Sequence, residues 1–529
     1  DPADILAKIS YLREVMPGQP PDAWRRADAD DLTITVGNRY IDRLHREEVI
    51  DFTEMQVGVL RLLDVNQKMR AAVHAHWDLM CCDEAQDQNP LRCAIWARLT
   101  GVAYGKQTAR TVIMVGDWNQ SCYRFLGATP EMFLAYREQA IAAGSDFRLT
   151  RNFRSLPEIV DAGNRVLGEQ VGIAARTNDD PGASPVIQTE EYETAWEEAE
   201  ATTAQIKAWV AGATPLSDIA VIYRTRGAGA TIQLTLAKAG VPFVVRGGSG
   251  FFSVGCVADA CAYLEAGTTW NVEALERASK TPSRYLGVAF RDSLRALSDR
   301  GVMGPGLLDP NQHPPRSMRG VRLMQTQMGE VAAACDGTPE DALEVIYQLE
   351  GAKGGTFATA GPEDRRPNRD EMLRALSNVA RGFKTVPDML QMIRSAAAAE
   401  NITDGSTPDA VVLTTAHRSK GLEWPTVCVI GMAEDIWPHY LALDEGAEDE
   451  ERRLAFVAVT RARDRLVASS PGEYFGKEKL PSRYLHALDD GERLPPCTWP
   501  ALPQWSKWLA DGCPIDGCPL PPHIASREV

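Results

Sequence analysis

Short apolar runs of five to eight residues recur along this chain at intervals that hold a helix and little else. They are "WDLMCC" (77–82), "TVIMVGD" (111–117), "DFRLT" (146–150), "SPVIQTE" (184–190), "DIAVIYRT" (218–225) and "VPFVVRGG" (241–248). Two strands joined by a helix-length connection pair in parallel, because a tight hairpin reverses direction and a long crossover does not. The pattern therefore predicts an α/β fold built on parallel sheet. It stops at about 263. Residues 263–405 read as helical, interrupted at "GVMGPGLLDPNQHPPRS" (301–317) and "GAKGGTFATAGPEDRRP" (351–367), and strand texture returns at "AVVLTTAH" (410–417) and "TVCVIGM" (426–432). The simplest organisation is a helical domain inserted into an α/β domain. Residues 1–75 read as helical and mostly polar, with a break at "MPGQPPDAW" (16–24), and the tail from 491 is rich in Pro and Trp. No internal repeat is visible.

The 529 residues are enough for roughly three to four domains. A net charge of −16 argues against a uniformly basic surface, but leaves room for a locally basic groove that binds nucleic acid. Eleven cysteines, odd in number and irregular in spacing, fit a reduced, cytoplasmic protein; Cys81 and Cys82 sit side by side in a strand expected to be buried. The first ten residues, "DPADILAKIS", are too polar for a signal peptide, and no apolar run approaches the ~20 residues of a membrane span.

The chemistry-bearing stretches lie at strand ends. In "LMCCDEAQDQNP" (79–90) an apolar run ends in Asp83 and Glu84. Carboxylates at the C-terminal edge of a parallel sheet sit where ligands bind; Asp83 can hold Mg²⁺ and Glu84 can orient or deprotonate a water. "GDWNQSCYRFLGA" (116–128) puts Gln120 near the same edge, followed by Tyr123 and Phe125 with Arg124 between them, a pattern suited to stacking on single-stranded bases. "LTRNFRS" (149–155) sets Arg154 at a strand-to-helix turn beside Phe153, which can stack on a base. "TTAHRSKGLEW" (414–424) follows a later strand, and "DEERRLAFVAVTRARDRL" (449–466) reads as an amphipathic helix with Leu454, Val457 and Arg461 on neighbouring turns. An arginine able to point out of such a helix can neutralise phosphoryl-transfer charge.

In order and wording these five stretches resemble the superfamily 1 DNA helicases of the UvrD/Rep/PcrA group, with weaker echoes at "VIDFTEM" (49–55), "AVIYRT" (220–225), "GGSGFF" (247–252) and "YFGKEKLPSRYLHAL" (474–488). The resemblance covers roughly 50–262 and 406–490. It implies a P-loop NTPase helicase architecture: two RecA-like parallel-sheet cores with helical accessory domains, the first core incomplete. Residues 1–75 would be a residual accessory domain, 76–147 part of the first core, 148–262 and 406–490 the second core, 263–405 the inserted helical domain and 491–529 a tail. It further implies ATP and Mg²⁺ as cofactors, with Asp83 on the magnesium, Glu84 as base, Gln120 coupling the γ-phosphate to DNA, and Arg154 and Arg461 on that phosphate. Phe153 would stack on adenine and Glu423 would bind ribose. Tyr123, Phe125, Thr415, His417 and Phe475 would face single-stranded DNA, or the tail of a partial duplex, with travel 3′→5′. Leu126 departs from the arginine usual there, and Arg124 is the candidate to compensate.

A phosphate-cradling Gly-Lys-Thr loop is the missing half. "GVAYGKQT" (101–108) fails on spacing, on Gln107 and on its place after the DEAQD stretch, and "GAKGGT" (351–356) is no better. The expectation is a truncated or separately encoded N-terminal piece. The alternatives are a catalytically inactive helicase-like scaffold and an ATPase subunit of a defence or repair complex, with a repair, replication or nuclease protein as partner. Cys497, Cys513, Cys518 and His523 are read as ordinary residues, since their spacing is loose for zinc.

Overall fold

The computed structural model describes residues 2–27, 29–101, 111–177, 186–246, 250–352, 356–357, 369–400, 409–474, 476–489 and 493–495. The fold is α/β with parallel sheets, as the strand rhythm requires. β1 (Leu79–Cys82) and β2 (Thr111–Met114) pair in parallel, Leu79 against Thr111 through Cys82 against Met114. β3 (Arg151–Asn152) and β4 (Ile173–Ala174) form a second, minimal parallel pair. The large sheet contains β5 (Ile187–Thr194), β6 (Ile219–Tyr223), β7 (Phe243–Val245), β8 (Val411–Thr415), β9 (Trp424–Val429), β10 (Ala462–Tyr474) and β11 (Lys477–Glu478). Its order is β11-β10-β9-β6-β8-β7, with β5 also on β10; every pairing is parallel except the β10–β11 hairpin.

The centre of that sheet is β6, "IAVIY", buried at all five positions. Parallel strands covered on both faces are apolar without interruption. Alternate residues supply two cores. Ala220, Ile222, Val427 and Val429 pack with Ile159, Val166, Leu454 and Phe456 of helices Pro157–Leu167 and Glu448–Val459. Ile219, Val221, Tyr223 and Cys428 pack on the other face with Ala199, Ile206, Ile232 and Leu236 of helices Ala195–Ala211 and Ala230–Lys238. Helices from Gly255–Thr269 to Val386–Glu400 gather around a third core of Tyr263, Leu275, Phe290, Met324, Met328, Leu376 and Met389. At the N-terminal end, helix Pro2–Val15 is followed by a 3-10 segment, Pro21–Ala27, and then by helices Asp31–Glu47, Phe52–Val65 and Gln67–His76 joined by short turns; Asp30, Asp51 and Asn66 cap these three through the Thr33, Glu54 and Met69 amides. The buried Arg13 guanidinium ties the first helix to the third through Asp51 and Glu54.

Three local expectations are corrected. "DFRLT" is not a strand: the ladder starts at Arg151, where a partner strand becomes available. β1 is not buried; among the described residues it has a single neighbour strand, and Leu79 and Cys81 are exposed. The helix predicted over 449–466 stops at Val459, and the chain re-enters the sheet at Ala462. Beyond that point the burial period changes: Leu466 and Ala468 pack into one core and Val467 into the other, the period of a strand.

Candidate functional site

β1 and β2 end side by side. The Val115 amide donates to the Cys82 carbonyl at 2.8 Å and the Ala85 amide to the Val115 carbonyl at 2.9 Å, so both chains leave the sheet at one edge. Asp83 is exposed there, one of its oxygens taking the Glu84 amide at 2.9 Å. Glu84 turns in the left-handed region, φ 50°. Behind it Gln86, fully buried, donates to the Glu84 carboxylate at 2.6 Å and accepts the Asp117 amide at 3.0 Å. This approach requires glycine at 116, because a Cβ there would lie 2.5 Å from the Gln86 Oε1. Asp117 then accepts the Asn119 amide at 3.0 Å and the Gln120 side-chain amide at 2.8 Å. Burial raises the Asp117 pKa above the usual carboxylate range, with the bond from Gln120 opposing it. A hydrogen-bonded chain thus runs Glu84–Gln86–Asp117–Gln120.

The chain continues to the connection between β8 and β9 of the large sheet through Lys420, whose ammonium donates to Asp87 at 2.6 Å and to the Gln120 carbonyl at 2.7 Å, lies 3.8 Å from Glu84, and sits 5.2 Å from the centre of the Tyr123 ring. Burial pushes the Asp87 carboxyl up and Lys420 pulls it back. Tyr123 donates to the His417 carbonyl at 2.8 Å, and the two rings are 6.4 Å apart. Burial, with Arg224 adding to it, lowers the His417 pKa to about 3, so the imidazole is neutral. Arg224 makes a two-pronged pair with the buried Glu451, its shortest contact 2.6 Å. Two further bonds cross between the same segments: Arg453 to the Ser121 carbonyl at 2.8 Å, and the Arg124 amide to Glu450 at 3.0 Å.

A second group surrounds the start of β10. Asn152 accepts the Arg154 and Ser155 amides at 2.9 and 3.0 Å, and the Ser155 hydroxyl donates to the Ala462 carbonyl at 2.6 Å, which pins the turn to that strand. The Arg154 guanidinium is paired with Glu423, so two residues assigned to different parts of a nucleotide touch each other. Arg461 does not point out of its helix. It is 1% exposed and donates to the Val457 carbonyl at 2.9 Å and the Leu422 carbonyl at 3.1 Å, because a helix end leaves carbonyls that a basic side chain can satisfy. Burial, reinforced by Arg154, lowers its pKa to about 10. Phe153 stands 72% exposed.

The structure therefore brings together Asp83, Glu84 and Gln120, joins Tyr123 to His417, and groups Arg154, Glu423 and Arg461. Thr415, half-buried, ends β8 just before His417. Phe475, the side chain of Phe125, the "GVAYGKQT" segment from 102 and the cysteines of the tail lie outside the described residues. Leu126 is exposed. Sequence reasoning gave no role to Gln86, Asp87, Asp117 or Lys420. The available signal was Lys420 itself, a cation standing inside "TTAHRSKGLEW" between His417 and Glu423.

The family model described as "UvrD-like helicase C-terminal domain" matches residues 147–313 and 338–471. The chain belongs to the UvrD-like helicases. The "UvrD/REP helicase N-terminal domain" model matches residues 8–141 as well. The chain is 29% identical over 479 residues to DNA helicase II of Escherichia coli, covering 85% of this chain and 64% of that protein. It is 29% identical over 463 residues to the putative ATP-dependent DNA helicase YjcD of Bacillus subtilis, with 84% and 58% covered. To ATP-dependent DNA helicase UvrD1 of Mycobacterium tuberculosis it is 28% identical over 490 residues, with 84% and 61% covered. The chain spans about three fifths of the length of these helicases. No helix of the described residues is long and apolar enough to cross a membrane.

Proposed function

We propose that this chain carries the greater part of a cytoplasmic, ATP-driven DNA motor that moves 3′→5′ on single-stranded DNA or on a duplex with a single-stranded tail. The observation that carries the reading is the unbroken polar path from Glu84 through Gln86, Asp117, Gln120 and Lys420 to Tyr123 and His417. It links carboxylates at one sheet edge to aromatics at the mouth of another, which is what a device trading nucleotide state for DNA grip requires.

Magnesium bound with a nucleotide ordinarily takes one or two protein carboxylates and fills its shell with phosphate and water. The residues present fit: Asp83 offers an exposed carboxylate at a strand end, and the described residues hold no ready-made multi-ligand cage. When bound, the ion supplies neutralisation of charge on the phosphates. Glu84, held by Gln86, takes the proton of the attacking water. Arg154 exchanges its bond to Glu423 for phosphate oxygens, which frees Glu423 for ribose hydroxyls. Arg461 meets the same charge from a buried position, where burial strengthens its pull. Phe153 stacks on the base, and Tyr123, Phe125, Thr415, His417 and Phe475 face the DNA strand. Domain limits near 75, 147, 262, 405 and 490 and a repair, replication or nuclease protein as the partner class belong to the same reading.

These 529 residues contain no Gly-Lys-Thr loop. They are expected to bind single-stranded DNA and to hydrolyse ATP weakly or not at all. Fused to the phosphate-loop segment of a related helicase, they should hydrolyse ATP when DNA is added, and E84Q in the fusion should abolish it. A fusion that folds and binds DNA yet never hydrolyses ATP would sink the motor reading and leave a DNA-binding scaffold.

A further inference from the structure

At one edge of the large sheet lies β5, an eight-residue strand that pairs with β10 and carries no second strand among the described residues. Leu466 stands opposite Ile187, and its amide donates to the Val186 carbonyl at 2.8 Å. In a parallel pair, residues that bond the neighbour alternate with residues whose amides and carbonyls point away from it. Ile187, Thr189 and Glu191 therefore form the outward set. Such an edge is a template for another extended chain. A cleft of about 590 Å³ runs beside it, lined by helix Pro157–Leu167, by β5 and by the end of helix Arg483–Asp489. The exposed carboxylates of Glu158, Asp161, Glu190 and Asp489 stand around this cleft. Among its lining residues the only cation is Arg165, which is spent on the Ala487 and Leu488 carbonyls at 2.8 and 3.1 Å. Glu191 and Glu193, both exposed, extend the negative charge along the strand. A rim of this sign repels nucleic-acid phosphates and repels the same edge of a second copy.

We propose that the β5 edge is a docking site for an extended, lysine- or arginine-rich segment of a partner protein, which adds to the large sheet as a further strand and lays its cations along the cleft. Backbone bonds to Ile187, Thr189 and Glu191 supply affinity for any extended chain, and the carboxylates select a cationic one. Side chains of an added strand alternate between the two faces of the sheet, so cations at every second residue all reach the cleft side. None of these residues belongs to the polar path from Glu84 to His417, so this inference and the motor reading stand or fall separately.

The test is fluorescence anisotropy of the full chain with a labelled peptide of alternating lysine and threonine, as long as β5. Wild type should bind this peptide. It should bind at least about tenfold more weakly to a copy N-methylated at every amide, which keeps the charges and loses the donors, and to a copy with glutamate in place of lysine. Asp161→Lys should weaken binding of the first peptide by about tenfold. Glu191→Pro removes an outward amide without breaking a bond to β10, and should weaken binding more than Glu191→Gln, which removes the charge alone. No binding by wild type, equal binding of the N-methylated copy, or equal binding of the glutamate copy overturns the proposal, as does undiminished binding by Asp161→Lys or Glu191→Pro.

Discussion

A carboxyl far from the candidate site shows how a single residue can set the pH range of the second core. Glu198 is fully buried beneath the large sheet, where one of its oxygens accepts the Gly431 amide at 2.9 Å and the Ser469 hydroxyl at 2.6 Å. Burial raises its pKa to about 7, and those two bonds only partly oppose the rise. The folded protein therefore holds a proton that the unfolded chain, with an ordinary carboxyl, releases at lower pH. Stability from this group is complete below the ordinary carboxyl pKa and is lost progressively as pH rises from there to about 7. Glu198→Gln keeps an oxygen for both donors and carries no charge. Its melting temperature should exceed that of wild type at pH 8 and approach it below about pH 4; a gap that widens on acidification would contradict the argument. The Lys420–Asp87 pair behaves differently, because both partners are charged and little exposed. Lys420→Met leaves the Asp87 carboxylate buried without its cation and should cost about 3–5 kcal/mol, while adding Asp87→Leu should recover most of that. Denaturant titrations of the two singles and the double close the cycle.

At the scale of elements, the close approach at Gly116 determines whether β1 and β2 communicate. Gly116→Ala drives a methyl into the Gln86 amide and to 3.0 Å from Phe133. Gln86 must then leave the Asp117 amide, and the path from Glu84 to Gln120 is cut. In the ATPase-competent fusion, DNA stimulation of hydrolysis should fall by at least about tenfold, a coupling loss of some 1.4 kcal/mol, with DNA affinity much less changed; an equal fall in both would mean the strand itself had unfolded. The strands of the large sheet were legible because buried parallel strands are apolar throughout, as at "IAVIY". β10 was not, because "RARDRL" carries charges that continue the helical pattern of the preceding stretch, and only pairing with β5 and β9 reveals the strand. The site divides in the same way. Asp83, Glu84, Arg154 and Glu423 stand in motifs, so their neighbourhood could be read along the chain. Lys420 meets Asp87 across 333 positions and Gln120 across 300, contacts that no local pattern encodes.

Across the whole molecule, apolar surface is covered unevenly. The large sheet has helices on both faces. The β1–β2 pair leaves Leu79, Val112, Ile113 and Val115 exposed, and helix Phe52–Val65 turns a second apolar face outward through Phe52, Met55, Val59 and Leu62 at helical spacing. Two parallel strands with open faces do not hold themselves together. Beside them helix Phe52–Val65 packs on helix Pro90–Thr100, where Val57 and Leu60 meet Leu91 and Ala94, and the loops that leave the pair are bonded to Lys420, Arg453 and His417 of the larger unit. Local stability should therefore be graded. In native-state hydrogen exchange, amides of 79–82 and 111–114 should exchange at least about a hundredfold faster than those of 219–223 and 427–429, because opening the small pair exposes far less buried surface than opening the large sheet. Lys420→Met should raise the first set of rates and leave the second unchanged, since the lysine braces only the smaller sheet against the larger. Equal protection in both sheets, or a uniform response to the substitution, would mean that the two open as one cooperative unit and that the bonds across them are as strong as the sheets they join.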